Sequence, residues 1–232
     1  MERIARNWHE LEERVAGAAE HAGRSISEVT IVAVTKTRSA EEMSAAIAAG
    51  VTDVGENRVQ EAAAKRASVK ATARWHLIGQ LQRNKVGRAV DIFDVVHSVD
   101  SIRLADALDR RVAETGGSIE ALLQVNTSGA SQQAGADPES LPALLDHVAG
   151  LDHLQVSGLM TIAAHSQDSG IVRACFRQLH DLAQQHRHRG SALGVLSMGM
   201  SGDYEIAIEE GATMIRVGTV IFGERVSTWV TS

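Results

Sequence analysis

Between residues 29 and 219, eight short apolar runs alternate with helical patterns, and this alternation restricts the fold more than any other feature of the chain. The runs are VTIVAVTK (29–36), DVGEN (53–57), RWHLIG (74–79), FDVVHS (93–98), EALLQVNT (120–127), LQVSGLMTI (154–162), ALGVLSMG (192–199) and TMIRVGT (213–219). Apolar strands separated by helices form a parallel sheet whose outer face the helices cover. Eight such units in a chain of 232 residues close into a (β/α)8 barrel. An open doubly wound sheet requires a glycine-rich turn after its first strand, and Lys36-Thr37-Arg38-Ser39 follows there instead. A weak internal echo, AIAAGVTDVGEN against AIEEGATMIRVG, agrees with repeated units. We therefore expect one α/β domain over residues 1–232, a TIM barrel preceded by an extra helix in MERIARNWHELEERVAG.

The intervening segments carry their own helix signals. In SAEEMSAAIAAG, Ser39 and Glu42 have capping-box spacing, Met43 and Ile47 share a face, and Gly50 is the stop. DPESLPALLDHVAG opens with Asp137 as N-cap and Pro138 at the first helical position, but Pro142 four residues on suggests that the helix proper starts later.

With 23 basic against 29 acidic residues the net charge is -6, so no global basic field attracts nucleic acid or an anionic membrane. LQRNKVGR and RQLHDLAQQHRHRG are the only basic stretches of note, and the second reads as a helix whose C-terminal cations suit its dipole. The single cysteine, Cys175, lies in an amphipathic pattern and reads as a buried structural thiol. The N-terminus lacks the apolar stretch of a signal peptide, and no run reaches membrane-spanning length. The expected setting is cytoplasmic, with neither a membrane nor a nucleic acid as partner.

Active sites of such barrels lie at the C-terminal ends of the strands. Those ends supply Lys36, Asn57, Gly79, His97, Asn126, Thr161, Gly199 with Ser201, and Gly218 with Thr219. No paired carboxylates appear among them, which argues against glycoside hydrolysis. His76, His97 and His165 lack metal-ligand spacing and read as hydrogen-bonded strand residues, so no metal is expected. The seventh and eighth ends, SMGMSGDYEIAIEEG and RVGTVIFG, place glycine and a hydroxyl just before a helix, with Ser201 well placed as N-cap. Those two loops are where barrels commonly bind phosphate. An amine on the first strand opposite a phosphate cradle suits a ligand that is both aldehyde and phosphate. Pyridoxal 5'-phosphate is such a ligand, and a lysine Schiff base is its usual anchor. Arg216 has the parity to face the same ligand; the alternative is a salt bridge within the barrel layers. Trp75 and Leu77 read as core, and Lys85 as either rim or solvated surface.

The motifs VAVTKTRS, VGENRVQE, WHLIGQLQRNK, VHSVDS, QVNTSG, GLMTI, LSMGMSGDYEIAIEEG and RVGTVIFGER, in this order from Val29 to Arg225, resemble the pyridoxal phosphate homeostasis protein family. The resemblance implies an alanine-racemase-like barrel of fold type III with pyridoxal phosphate held covalently on Lys36. It implies phosphate contacts from Met200, Ser201, Gly218 and Thr219, with Arg216 near the pyridine nitrogen and Asn57 close to the cofactor. Two positions depart from the family pattern. SQQAG carries Gln133 where a lysine is common, which puts a secondary cofactor site in doubt, and LSMGM carries Met198 where leucine is common.

Racemases and decarboxylases of this fold carry a further C-terminal β-domain, and this sequence runs only to Ser232. Two-base racemisation needs a proton donor on each face of the substrate. Lys36 serves one face, and the sole tyrosine, Tyr204, is not an evident partner for the other. The expectation is a monomeric carrier that buffers pyridoxal phosphate and delivers it to dependent apoenzymes, with no catalytic residue assigned. A weak amino-acid racemase is the alternative.

Overall fold

The computed structural model describes residues 1–187 and 193–224. Among them, eight parallel strands close into a barrel in chain order. The strands are β1 (Thr30–Val34), β2 (Asp53–Glu56), β3 (Arg74–Leu77), β4 (Val95–Val99), β5 (Ile119–Gln124), β6 (Leu154–Met160), β7 (Val195–Ser197) and β8 (Met214–Val217). Each coincides with one of the eight apolar runs, β4 and β5 reaching one residue beyond theirs, to Val99 and Ile119. The start of the seventh run at Ala192, the cations His188 and Arg189, and Arg225 of the last family motif lie outside the described residues. Closure sets β8 beside β1, with Val32 opposite Arg216 and Ala33 opposite Val217.

Nine α-helices are described: α1 (Glu2–His21), α2 (Ala40–Ala48), α3 (Val59–Ser68), α4 (Val86–Val90), α5 (Ile102–Ala113), α6 (Leu141–Val148), α7 (Ser169–His186), α8 (Tyr204–Glu209) and α9 (Thr219–Phe222). The capping box predicted for α2 is formed: the Ser39 hydroxyl accepts the Glu42 amide, and the Glu42 carboxylate accepts the Ser39 amide. Asp137 and Pro138 begin a 3-10 turn over Pro138–Ser140, and α6 follows from Leu141 with Pro142 in its first turn, where no amide donor is needed.

The extra helix α1 buries Ile4, Trp8, Leu11, Val15 and Ala19, an i, i+3/i+4 stripe laid against α2, α8 and α9. Polar bonds register it: the Asn7 amide donates to the Ile221 carbonyl at 2.9 Å and Arg3 to that of Phe222 at 3.3 Å. The first segment of the chain thus holds the short helix that follows the last strand. The outer core lies between strands and helices and includes Trp75, Leu77 and Cys175. Inside the barrel, Val32, Leu122, Met160 and Met214 form a small apolar layer. Asp53, His76, His97, Ser197 and Arg216 are also buried and form a polar one. No helix among the described residues is long and apolar enough to cross a membrane.

Candidate functional site

The C-terminal ends of the strands surround a cavity of about 560 Å³. Lys36, Asn57, Met200, Ser201, Arg216, Gly218 and Thr219 all line it, joined by Val34, Ile78, Gly79, Gln80, Gln124, Ala134, Ile162 and Gly202. The volume lies within the range of small-ligand sites.

Lys36 lies two residues beyond the end of β1 and is half-buried. The next residue, Thr37, is the one non-glycine among the described residues with positive φ, at 64°. A β-branched residue there is strained by about 1–3 kcal/mol, so the surroundings must impose the turn. They do so through a buried lysine. Lys65 Nζ of α3 donates to the Thr35 carbonyl, Glu56 Oε1 and Glu61 Oε1, each at 2.7 Å. Glu61 Oε1 also accepts the Thr37 amide at 2.5 Å, and the Thr35 hydroxyl donates to Glu56 Oε1 at 2.5 Å. Burial pushes the Glu56 carboxyl up, against the pull of Lys65, and its second oxygen has no partner among the described residues. On the other side of the turn, Arg38 donates to the carbonyls of Phe222 and Gly223, tying the first loop to α9.

The seventh and eighth loops are joined by Ser201, whose Oγ accepts the Gly218 amide at 3.2 Å. Ser201 is therefore not the N-cap expected from the sequence. Asp203 occupies that position, and its Oδ1 accepts the Met200 amide at 2.6 Å, which closes a turn before the helix and leaves Ser201 on the cavity wall. The amides of Ser201 and Gly202 donate to nothing among the described residues. Gly218 approaches so closely that an added Cβ meets the Val34 carbonyl at 3.0 Å. Gly79 is more tightly constrained: a Cβ there sits 2.3 Å from the Asn57 carbonyl, so only glycine lets β3 end beside Asn57.

Arg216 forms the floor. It is almost fully buried, donating from Nη1 to Ser197 Oγ at 2.6 Å and from Nη2 to the Thr161 carbonyl at 2.8 Å. No carboxylate among the described residues pairs with it, so the salt bridge considered from sequence is replaced by neutral acceptors. Burial draws its pKa down to about 10, which leaves it charged at neutral pH.

Behind Arg216 the polar layer continues. His97 Nδ1 lies 3.1 Å from Ser197 Oγ, His97 Nε2 lies 2.9 Å from His76 Nδ1, and His76 Nε2 lies 2.9 Å from Asp53 Oδ1. His97 is thus a mid-strand core residue and not a strand-end one. Burial holds its imidazole well below the usual 6.5, aided by the neighbouring His76 and Arg216. The folded chain refuses a proton that the unfolded chain accepts below pH 6.5. Stability is therefore complete above that value and declines as the pH falls toward the folded value, at up to about 1.4 kcal/mol per pH unit. Urea midpoints at pH 7.5 and 5.0 should show the decline, and His97→Gln should flatten it; equal midpoints in the wild type would contradict this.

His165 departs from expectation, being an exposed loop residue and not a bonded strand one. Tyr204 is buried away from the cavity, beneath Arg14 of α1 and with its hydroxyl on Glu205. Gln133 donates to the Ile162 carbonyl, closing the β5–α6 loop over β6. Lys85 lies in an adjoining surface depression with Asn57, Arg58 and Gln80. The clamp of Glu56, Glu61 and Lys65 escaped sequence reasoning, although all three stand in or beside VGENRVQE. A lysine nine residues after a glutamate becomes significant only when strand and helix are folded together.

The model of the alanine racemase N-terminal domain family matches residues 2–226. A pyridoxal phosphate homeostasis protein of Pseudomonas aeruginosa is 39% identical over 226 residues, covering 97% of each chain. The structure of PipY of Synechococcus elongatus with pyridoxal phosphate bound superimposes with a TM-score of 0.85 at 39% identity, over 95% of this chain and 100% of that one. An alanine racemase of Clostridium difficile shares the fold at 14% identity and a TM-score of 0.72, over 87% of this chain and 56% of that one. The chain belongs to the pyridoxal phosphate homeostasis protein family, built on the alanine racemase N-terminal barrel.

Proposed function

We propose that this protein binds pyridoxal 5'-phosphate covalently at Lys36 and acts as its carrier, limiting free aldehyde and supplying the cofactor to dependent enzymes. The observation that carries the reading is the convergence of a lysine amine, unpaired loop amides and a buried arginine on one cavity. The cavity wall fits the group. A Cβ built on Gly202 meets no protein atom within 4 Å, so the loop leaves room for phosphate oxygens beside its own amides. The relatives' name and the ligand of PipY point the same way.

Lys36 would hold the group through its amine, and the Thr37 turn sets where that amine stands. Ser201 and Thr219 donate hydroxyl protons, and the amides of Ser201 and Gly202 add two further donors for a dianion. Arg216, a donor that stays charged, would hold the pyridine nitrogen and keep it unprotonated. When bound, pyridoxal phosphate supplies an electrophilic carbon and an electron-withdrawing ring, and an unprotonated ring withdraws electrons less strongly.

Two outcomes are expected. Ser201→Ala with Thr219→Val should weaken cofactor retention by about 1.5–3 kcal/mol per lost charge-assisted bond, against about 1 kcal/mol of stability. Equilibrium dialysis and thermal melts separate the two effects, and unchanged affinity in the double variant counts against the cradle. Second, turnover should be slight. Among the described residues lining the cavity, Lys36 is joined by no carboxylate, histidine, cysteine or tyrosine to act as opposing base. With L-alanine, the amino acid's amine should replace that of Lys36 on the cofactor, freeing the lysine, while alanine is racemised at about the rate of free cofactor. A Lys36-dependent turnover near ~1 per second lies in the ordinary enzyme range and would establish a racemase instead.

A further inference from the structure

The buried polar layer offers more than packing. Its five side chains are joined end to end across the barrel, from Asp53 at the N-terminal end of β2 to Arg216 at the cavity floor. His76 and His97 have no accessible surface, and a single proton on each ring leaves neither imidazole charged in the core. The direction of each bond then follows from donor and acceptor inventory alone.

The Asp53 carboxylate only accepts. Burial raises its pKa, but bonds from His76 and Thr52 outweigh this, so it stays ionised. His76 must therefore carry its proton on Nε2, which makes its Nδ1 an acceptor. His97 must then carry its proton on Nε2 as well, and its Nδ1 accepts the Ser197 hydroxyl. Ser197 Oγ is left to accept from Arg216, which only donates. The direction is imposed from the Asp53 end; Arg216, which only donates, is compatible with it, and no donor faces a donor.

We propose that Asp53, His76, His97 and Ser197 form a one-way hydrogen-bond chain that positions the Arg216 guanidinium, so that Asp53, which does not line the cavity, tunes how the cavity holds its ligand. The ligand clause rests on the proposed function above; the direction of the chain does not. A mere packing role for these residues predicts no coupling between Asp53 and the cavity. Asp53→Asn is the informative change. The amide still accepts from His76 but can also donate to it, so the direction is no longer imposed from that end. His97, two links away, is then free to carry its proton on Nδ1.

The experiment has two arms. In the ligand-free wild type at pH 8, long-range proton–nitrogen NMR of the histidine rings should show Nε2-protonated His76 and His97, and Asp53→Asn should bring in the Nδ1-protonated form of His97. In the second arm, pyridoxal phosphate affinity is measured for wild type, Asp53→Asn, Ser197→Ala and the double variant. Asp53→Asn should weaken binding roughly three- to tenfold on the wild-type background and by less than about 1.5-fold once Ser197→Ala has cut the chain. Wild-type His97 protonated on Nδ1 overturns the proposal, and so does an equal effect of Asp53→Asn on both backgrounds. The NMR arm decides even where a variant fails to fold. Binding without attachment at Lys36 would instead count against the proposed function and leave the tautomer result standing.

Discussion

Lys36→Ala is expected to abolish covalent retention of pyridoxal phosphate while leaving the barrel folded. The amine stands at the end of β1 on the wall of the cavity, and no other lysine lines it among the described residues. Its side chain is only half-buried, so truncation should cost no more than about 1 kcal/mol of stability. On the proposed reading, non-covalent contacts from the Ser201 loop and Arg216 would persist, and residual, rapidly reversible binding is expected. After loading and desalting, the wild type should keep its absorbance above the protein band and the variant should lose it. A variant that retains a borohydride-reducible chromophore at wild-type occupancy would place the attachment elsewhere.

Lys65→Met is expected to produce the largest loss of stability of any substitution considered. It strips the cation from Glu56, which is wholly inaccessible and already has one oxygen without a partner. Breaking one side of a buried pair costs about 3–5 kcal/mol, because the remaining charge has no water to return to. In a domain of this size that lowers the melting temperature by roughly 6–20 °C. The strained Thr37 turn loses its support at the same time, since Glu61 and Thr35 both hang on the same ammonium. Adding Glu56→Met to Lys65→Met should recover much of the melting temperature, because an apolar pair in place of a buried ion pair is often neutral or better. It should not recover cofactor retention, because the Thr35 carbonyl and Glu61 stay unclamped. Recovery of both would show that the clamp acts on the core alone.

The barrel was legible because its signals are local. Eight apolar runs, a capping box at Ser39 and Glu42, and the prolines on either side of Leu141 each report on a few neighbouring residues. The residues of the cavity wall were legible through strand ends and motifs. What stayed hidden was long-range. Asp53, His76, His97 and Ser197 come from four different strands, and only barrel closure and register align them. The displacement of the cap from Ser201 to Asp203 was hidden for a related reason. Both residue types favour an N-cap, and the choice falls to the acceptor that the Gly218 amide needs across the barrel seam.

The central claim is that one lysine carries the cofactor, and mapping the adduct tests it most directly. The wild-type protein is saturated with pyridoxal phosphate, reduced with borohydride, digested and sequenced by mass spectrometry. The account predicts a single phosphopyridoxyl group on the peptide containing Lys36, at close to one per chain. An adduct on Lys85 in the neighbouring depression, or spread over several lysines, would contradict it.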